Sequence, residues 1–322
     1  MSSTKIIGRQ SQIGIGKESS RGTVVAPTYW VPFNDLTIDQ KIESVFDAQA
    51  YGIIEDSVAM YLTKLWSAGS ITANLYDHSF GLILYSLLGT LTSHSTHSGE
   101  TTVYDNIFNV AESTQHQSLT FAFHDPGSGQ DYAFPNGVVS KLEINYALKQ
   151  FVQYTATIMA LKGTSESSYT PSNTTENVFL PQNLTLQIAS TTYAVKSAKL
   201  TIDQNIESQD VLGSTSPADF LTKEFHVEGQ LEIILNGNTF VADLIAGTAV
   251  DVNLSLVNNA VTIGSATNPT LTLDMPQCYL TEVSTPRKVK DLVYATIKFR
   301  ATYSLSSSYM LKATLTNIVN GY

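Results

Sequence analysis

Residues 36–44 read LTIDQKIES and residues 200–208 read LTIDQNIES, eight identical positions of nine in a chain of 322. Both stretches alternate apolar and polar side chains. Leu36, Ile38 and Ile42 fall on one face, and Thr37, Asp39, Lys41 and Glu43 on the other. In the second copy Leu200, Ile202 and Ile206 oppose Thr201, Asp203, Asn205 and Glu207. A period of two predicts a β-strand with one face in a core and the other in water. The copies start 164 residues apart, about half the chain. That is far beyond the period of a stacked solenoid, roughly 20–50 residues, so each copy is expected to head a domain-sized lobe.

The order that follows each motif repeats too. Leu62–Thr63–Lys64 is answered by Leu221–Thr222–Lys223, and Gly69 with SITANLY by Gly229 with QLEIIL. A short helix is predicted next in each copy. The first, HSFGLILYSLLG (78–89), is expected to be capped by Ser79 or Asp77 and stopped by Gly89; the second, GNTFVADLIAG (237–247), by Thr239 and Gly247. The first is apolar nearly all round and is expected to pack on a sheet. Strands are also read at 141–148, at 150–161 and, as its counterpart, at 291–305. The fold expected is mainly β, with domains at 1–163 and 183–322. Between them 164–182, rich in Ser, Thr, Asn and Pro, reads as a linker. A second polar stretch, 90–102, belongs to the first copy alone and reads as a loop or an extended hairpin.

Composition narrows the function. Only 14% of residues are charged and the formal net charge is −10, which argues against a protein that grips nucleic acid through its phosphates. No apolar run is long enough for a membrane span, and MSSTKIIGRQSQ lacks the apolar core of a signal peptide. Cys278 has no partner for an internal disulfide and reads as a buried small hydrophobe on a strand.

No catalytic or cofactor motif is found. His94 and His97, with Glu100 near them, sit in a polar stretch without the rigid support a metal needs. His116 and His124 flank the strand 118–123 and read as structural. Asp39 and Glu43 are about 13 Å apart along one strand, too far for a glycosidase pair. GIGKES (14–19) is too short for a phosphate loop. No enzyme, cofactor or metal is therefore expected.

The N-terminal third, beginning with IGIGKESSRGTVVAPTYWVPFNDLTI (13–38), resembles the major tail tube proteins of long-tailed bacteriophages with non-contractile tails. Gly14, Lys17, Glu18, Gly22, Thr23 and Pro27 fit that family's opening pattern, and the helix ending at 87–89 and the SLT strand at 118–120 follow in its order. The resemblance implies two tandem tail-tube-type β-sandwiches, each with a flanking helix, whose sheets join into a β-barrel tube. With two copies per chain, three subunits would make a pseudo-hexameric ring, and rings would stack into a conduit for DNA ejection. It implies a virion protein assembled in host cytoplasm. Its partners would be copies of itself, a tape-measure protein, and tail terminator or distal tail proteins. Double-stranded DNA would pass without specific binding.

Two sets of residues are assigned on this basis. Asp39, Lys41, Glu43, Asp203, Asn205 and Glu207 are expected to line the lumen. Val24, Val25, Tyr29, Trp30, Tyr51, Ile53 and Ile54, in an N-terminal arm (1–30) and a loop (45–62), are expected to mediate ring stacking. The competing readings are a tube subunit of a contractile or secretion-type machine and a two-lobe carbohydrate-binding protein or hydrolase.

Overall fold

The computed structural model describes residues 7–127, 129–166, 168–235, 239–287, 289 and 292–322. The first half of the chain forms β1 (Gln12–Lys17), β2 (Tyr29–Val31), β3 (Asp35–Asp47), β4 (Ala59–Asn74) and helix α1 (Phe80–Leu88). The hairpin β5 (Gly89–Thr96) and β6 (Tyr104–Val110) follows. Then come β7 (Leu119–Asp125), β8 (Gln130–Ala147), β9 (Gln153–Ala160) and β10 (Thr164–Glu166). The second half opens with β11 (Leu184–Ile188), β12 (Thr191–Tyr193), β13 (Val195–Asp203), β14 (Ile206–Gln209) and β15 (Asp219–Thr222). It continues with β16 (His226–Ile234), helix α2 (Thr239–Ala246), β17 (Val250–Val257), β18 (Thr270–Ser284), β19 (Tyr294–Ala301) and β20 (Lys312–Asn317). The protein is mainly β, as its alternation predicts.

The halves share one wiring. In the first, β3, β4, β9 and the C-terminal part of β8 lie side by side; β2, β1, β7, the N-terminal part of β8 and β10 form a second ladder. In the second, β13, β16, β19 and the C-terminal part of β18 repeat the first ladder. There β12, β11, β17, the N-terminal part of β18 and β20 repeat the second. The irregularities match as well: β8 bulges between Val139 and Lys141, and β18 between Leu280 and Glu282. Each bulge bends a long strand so that one chain segment serves two ladders. The LTIDQ motifs, however, do not occupy the same rung. Leu36 faces Ile71, two residues past Gly69, whereas Leu200 faces Gly229 directly. A slip of two keeps every side chain on its own face.

Both glycines are places of close approach. A Cβ on Gly69 would sit 1.9 Å from the Thr37 carbonyl oxygen, and one on Gly229 would sit 2.2 Å from the Phe299 ring. Helix α1 is buried on almost every side, as its composition predicts, and ends at Gly89, whose φ of 83° is left-handed. Its N-terminal cap differs from the expectation. Ser79 makes no side-chain cap. Glu176 instead accepts hydrogen bonds from Ser79 N (2.7 Å), Ser79 Oγ (2.8 Å) and His78 N (3.3 Å). Asp77 is engaged with Asn177, through the backbone N at 2.7 Å and Nδ2 at 2.8 Å. The stretch 164–182 thus carries a strand, a helix cap and the fully buried Phe179. Helix α2 stops at Gly247, φ 60°; the residues before Thr239 lie outside those described.

One apolar cluster runs through both halves, from Ile13, Ile71 and Leu142 to Leu200, Phe299 and Leu315. The stretch 90–102 proves to belong to a hairpin, and β6 pairs with β20, so the hairpin of the first half widens the sheet of the second.

Candidate assembly interface

The two halves meet edge to edge. Strand β13 pairs antiparallel with the C-terminal part of β8, from Ser197 opposite Ala147 to Asp203 opposite Lys141. The ladder β3–β4–β9–β8–β13–β16–β19–β18 is therefore one continuous sheet. Its ends are open. Among the described residues β3 pairs only with β4. The C-terminal part of β18, Tyr279–Ser284, pairs with β19 on one side and with no described strand on the other.

Gln204, the last letter of the second LTIDQ, closes the internal seam. It is fully buried, and its Nε2 lies 3.1, 2.6 and 2.8 Å from the carbonyl oxygens of Ser86, Leu87 and Val139. Two of those carbonyls belong to the last turn of α1, where backbone oxygens lack intrahelical donors. Thr222 Oγ1 donates to Gln204 Oε1 at 2.7 Å. Gln40, in the first LTIDQ, is exposed. Arg21 adds a second clasp. It donates to Asp219 through Nε (3.0 Å) and Nη2 (2.6 Å), to the Phe220 carbonyl (3.1 Å) and to the His116 carbonyl. Burial opposes a charge on Asp219, but hydrogen bonds from Arg21, Asn136 and Phe220 N outweigh it and hold its pKa below the usual range. Glu18, in the N-terminal motif, is buried and accepts from Gly22 N, Ser118 Oγ, Thr120 Oγ1 and Asn136 N.

A third clasp comes from Glu100, at the hairpin tip. It accepts from Ser265 N, Ala266 N and Thr267 Oγ1 in the second half. The two backbone donors bring its pKa down to about 2. His97 Nδ1 lies 2.9 Å from Asp105 Oδ2 and His124 Nδ1 2.7 Å from Asp131 Oδ1. His116 is buried against the Leu87 and Ala111 carbonyls, and burial lowers its pKa. No group of three or more His, Cys, Asp or Glu suited to a metal occurs among the described residues. A surface groove of about 600 Å³ between the hairpin base and residues 222–225 and 303–310 has neither His nor Cys in its lining. Cys278 is buried on β18, its thiol pushed up to about 12 by desolvation.

The continuous sheet has one wet face. Asp39, Lys41 and Glu43 on β3 and Asp203 on β13 all belong to it. Asn205 lies instead in the turn after β13, with φ 46°, and Glu207 on β14, which among the described residues pairs only with β15 and where Lys223 lies 2.8 Å away. Four lysines on the wet face sit beside carboxylates, while Arg300, exposed opposite Glu228 on the same face, makes no ion pair within 4 Å among the described residues. Lys41 is 3.2 Å from Asp39, Lys141 and Lys199 are each 2.7 Å from Glu143, and Lys298 is 2.7 Å from Glu282.

Within the loop expected at 45–62, residues 48–58 do lie outside the strands, as the tip of a two-stranded arm made by β3 and β4, whose outer ends take up 45–47 and 59–62. Its apolar residues had no visible partner in sequence because they lie outside the core. Ile42, Val45, Phe46, Met60 and Tyr61 are exposed along it, and Tyr51, Ile53 and Ile54 at its tip, with Ile54 wholly so. The N-terminal segment behaves otherwise. Strand β1 lies between β2 and β7 with Ile13 and Ile15 fully buried. Trp30 is buried edge-on against His124 and Tyr169, Tyr29 packs on the core, and Val25 lies over Gly16; Val24 is at the surface.

An unpaired sheet edge at each end, a docked repeat in the middle and an apolar arm are features of a subunit built to continue. The family model described as "Phage tail tube protein" matches residues 8–301. The chain belongs to the phage tail tube protein family. It is thus a structural component of a virion tail, of a kind that self-assembles into a tube. No curated protein matches the sequence. Among the described residues no helix is long and apolar enough to cross a membrane.

Proposed function

We propose that this tail tube protein closes into rings of three chains by extending its own internal seam, and that the rings stack into a non-contractile tail tube through which DNA is ejected. The observation that carries this is the docking of β13 on β8 while β3, its counterpart, and β18, the counterpart of β8, stand open. Joining β18 of one chain to β3 of the next is a heterologous contact, which closes only if the rotation per step divides a full turn. Closure also removes both open edges, which otherwise recruit unwanted strands. With two repeats per chain, three chains give six positions.

The wet face, with Asp39, Lys41, Glu43 and Asp203, is the proposed wall of the conduit. A cation already paired with a carboxylate binds phosphate weakly, and with no basic cluster a passing duplex finds no clamp. The arm tip, Tyr51, Ile53 and Ile54, is the proposed ring-to-ring contact; an apolar surface of this kind is unstable in water unless covered. A tape-measure protein inside the tube, with terminator and distal tail proteins at its ends, completes the proposed assembly. Electron microscopy of the purified chain tests the reading: hollow tubes or stacked three-chain rings are expected. Monomers persisting at high concentration would refute it.

A further inference from the structure

We infer that the seam between subunits has a fixed register, with Glu282 of one copy opposite Lys41 of the next, and that this seam reverses the chemistry of the internal one. The inference rests on the ring reading above and specifies its contact.

Three observations fix which positions of the halves correspond. Gly69 and Gly229 each stand eleven residues before a helical phenylalanine, Phe80 and Phe240. Gly69 faces Ile38 and Gly229 faces Leu200, so Ile38 and Leu200 are structural equivalents. The bulges on β8 and β18 then coincide, which places Glu282 where β8 has Lys141. Counting on from Leu200, Asp203 corresponds to Lys41 and Gln204 to Ile42.

The internal seam sets Lys141 opposite Asp203. Laying β3 of a second copy along β18 in the same way sets Glu282 opposite Lys41: the same attraction with the signs exchanged. Both side chains are exposed in the free subunit. The neighbouring position is transformed in a parallel way. Gln204 meets the polar end of α1 at the Ser86 and Leu87 carbonyls. Ile42, 54% exposed, arrives at the last turn of α2, where Ile245 is 81% exposed. A polar plug in one seam is an apolar contact in the other.

The alternative register aligns the identical letters of the two motifs. It would bring Asp39 opposite Glu282, two carboxylates directly across a ladder, which is unfavourable. Reversal also protects the order of repeats. If β3 approached the edge of β8 in place of β13, Lys41 would meet Lys141. Each edge therefore rejects the wrong repeat by charge as well as accepting the right one.

Cysteine pairing in the full chain tests the register. Residues directly opposite in an antiparallel ladder have Cα atoms about 4.5–5.5 Å apart, within disulfide reach. Under mild oxidation Lys41→Cys with Glu282→Cys is expected to give covalent dimers and trimers on a non-reducing gel, and Asp39→Cys with Glu282→Cys only monomer. Cys278 is buried and stays out of the exchange. Cross-linking by the second pair in place of the first would overturn the register. Rings visible by microscopy with neither pair cross-linking would overturn the seam and leave the ring reading standing; absence of any assembly would remove both. As an independent arm, Lys41→Glu is expected to abolish ring formation without lowering the melting temperature of the monomer, and adding Glu282→Lys to restore it. Failure of the double reversal to restore rings would count against the pairing.

Discussion

Substituting the same letter in the two LTIDQ motifs is expected to have opposite consequences. In Gln204→Ala the carbonyls of Ser86, Leu87 and Val139 lose the amide that lies 2.6–3.1 Å from them, and the Thr222 hydroxyl loses its acceptor. The site is fully buried, so water does not replace the amide. A lost hydrogen bond is worth about 1 kcal/mol net, more where a buried group is left unpaired. Three carbonyls share two amide hydrogens, so the sum is nearer two strong bonds plus the orphaned hydroxyl, about 3 kcal/mol. Gln40→Ala removes an exposed side chain and is expected to stay within about 0.5 kcal/mol. Urea unfolding of the unassembled protein, followed by fluorescence and by circular dichroism, measures both. At about 2 °C per kcal/mol for a chain of this size, Gln204→Ala would also melt about 6 °C lower. Equal losses for the two variants, or a loss below 0.5 kcal/mol for Gln204→Ala, would show that the internal seam does not depend on this plug.

Three further outcomes are expected. Gly229→Ala forces a methyl against the Phe299 ring and should cost about 1–3 kcal/mol in the urea midpoint, with Phe299→Leu recovering part of it. Glu100 has a folded pKa lowered from 4.5 to about 2, so the stability it adds is present above about 4.5 and lost as the pH falls towards 2. Protection of the Ser265 and Ala266 amides from hydrogen exchange, taken relative to the intrinsic rate at each pH, should therefore fall over that window, and Glu100→Gln should flatten the dependence. Ile54→Asp, at a wholly exposed position, should leave the monomer's stability within about 0.5 kcal/mol yet leave rings unstacked in micrographs.

Much of the fold is legible because its signals are local. Alternation along 36–44 and 200–208 reports a half-buried strand without reference to any partner. Gly89 ends α1 through a backbone angle that glycine adopts readily. The sites of close approach at Gly69 and Gly229 are visible as glycines inside strands that otherwise alternate apolar and polar side chains. What the sequence conceals is non-local. Glu176 caps a helix that begins about a hundred residues earlier, and no spacing rule links it to Ser79. The same is true of Glu100 and the 265–267 turn. Gly14 and Gly16 leave room for Pro27 and Val25 to fold back over β1, which turns an apparent arm into an inner strand. The identical motifs also mislead on register: eight shared letters suggest equivalent rungs, but the partner strand, anchored by its glycine, sets the rung. The wet face separates the six proposed wall residues for a related reason. β13 ends at Asp203, so Asn205 and Glu207 leave a sheet that β3 follows to Asp47.

The covalent link between the halves has a kinetic consequence. Because β8 and β13 belong to one polypeptide, their encounter is intramolecular, with an effective concentration set by the connecting segment, in the millimolar range for short flexible connections. On the proposed ring every second seam is therefore already formed when synthesis ends. Closing six positions then requires three molecules to meet rather than six, so the concentration dependence of ring nucleation falls from roughly sixth order to third. Such a subunit begins a tube at copy numbers where a single-repeat relative would remain dispersed.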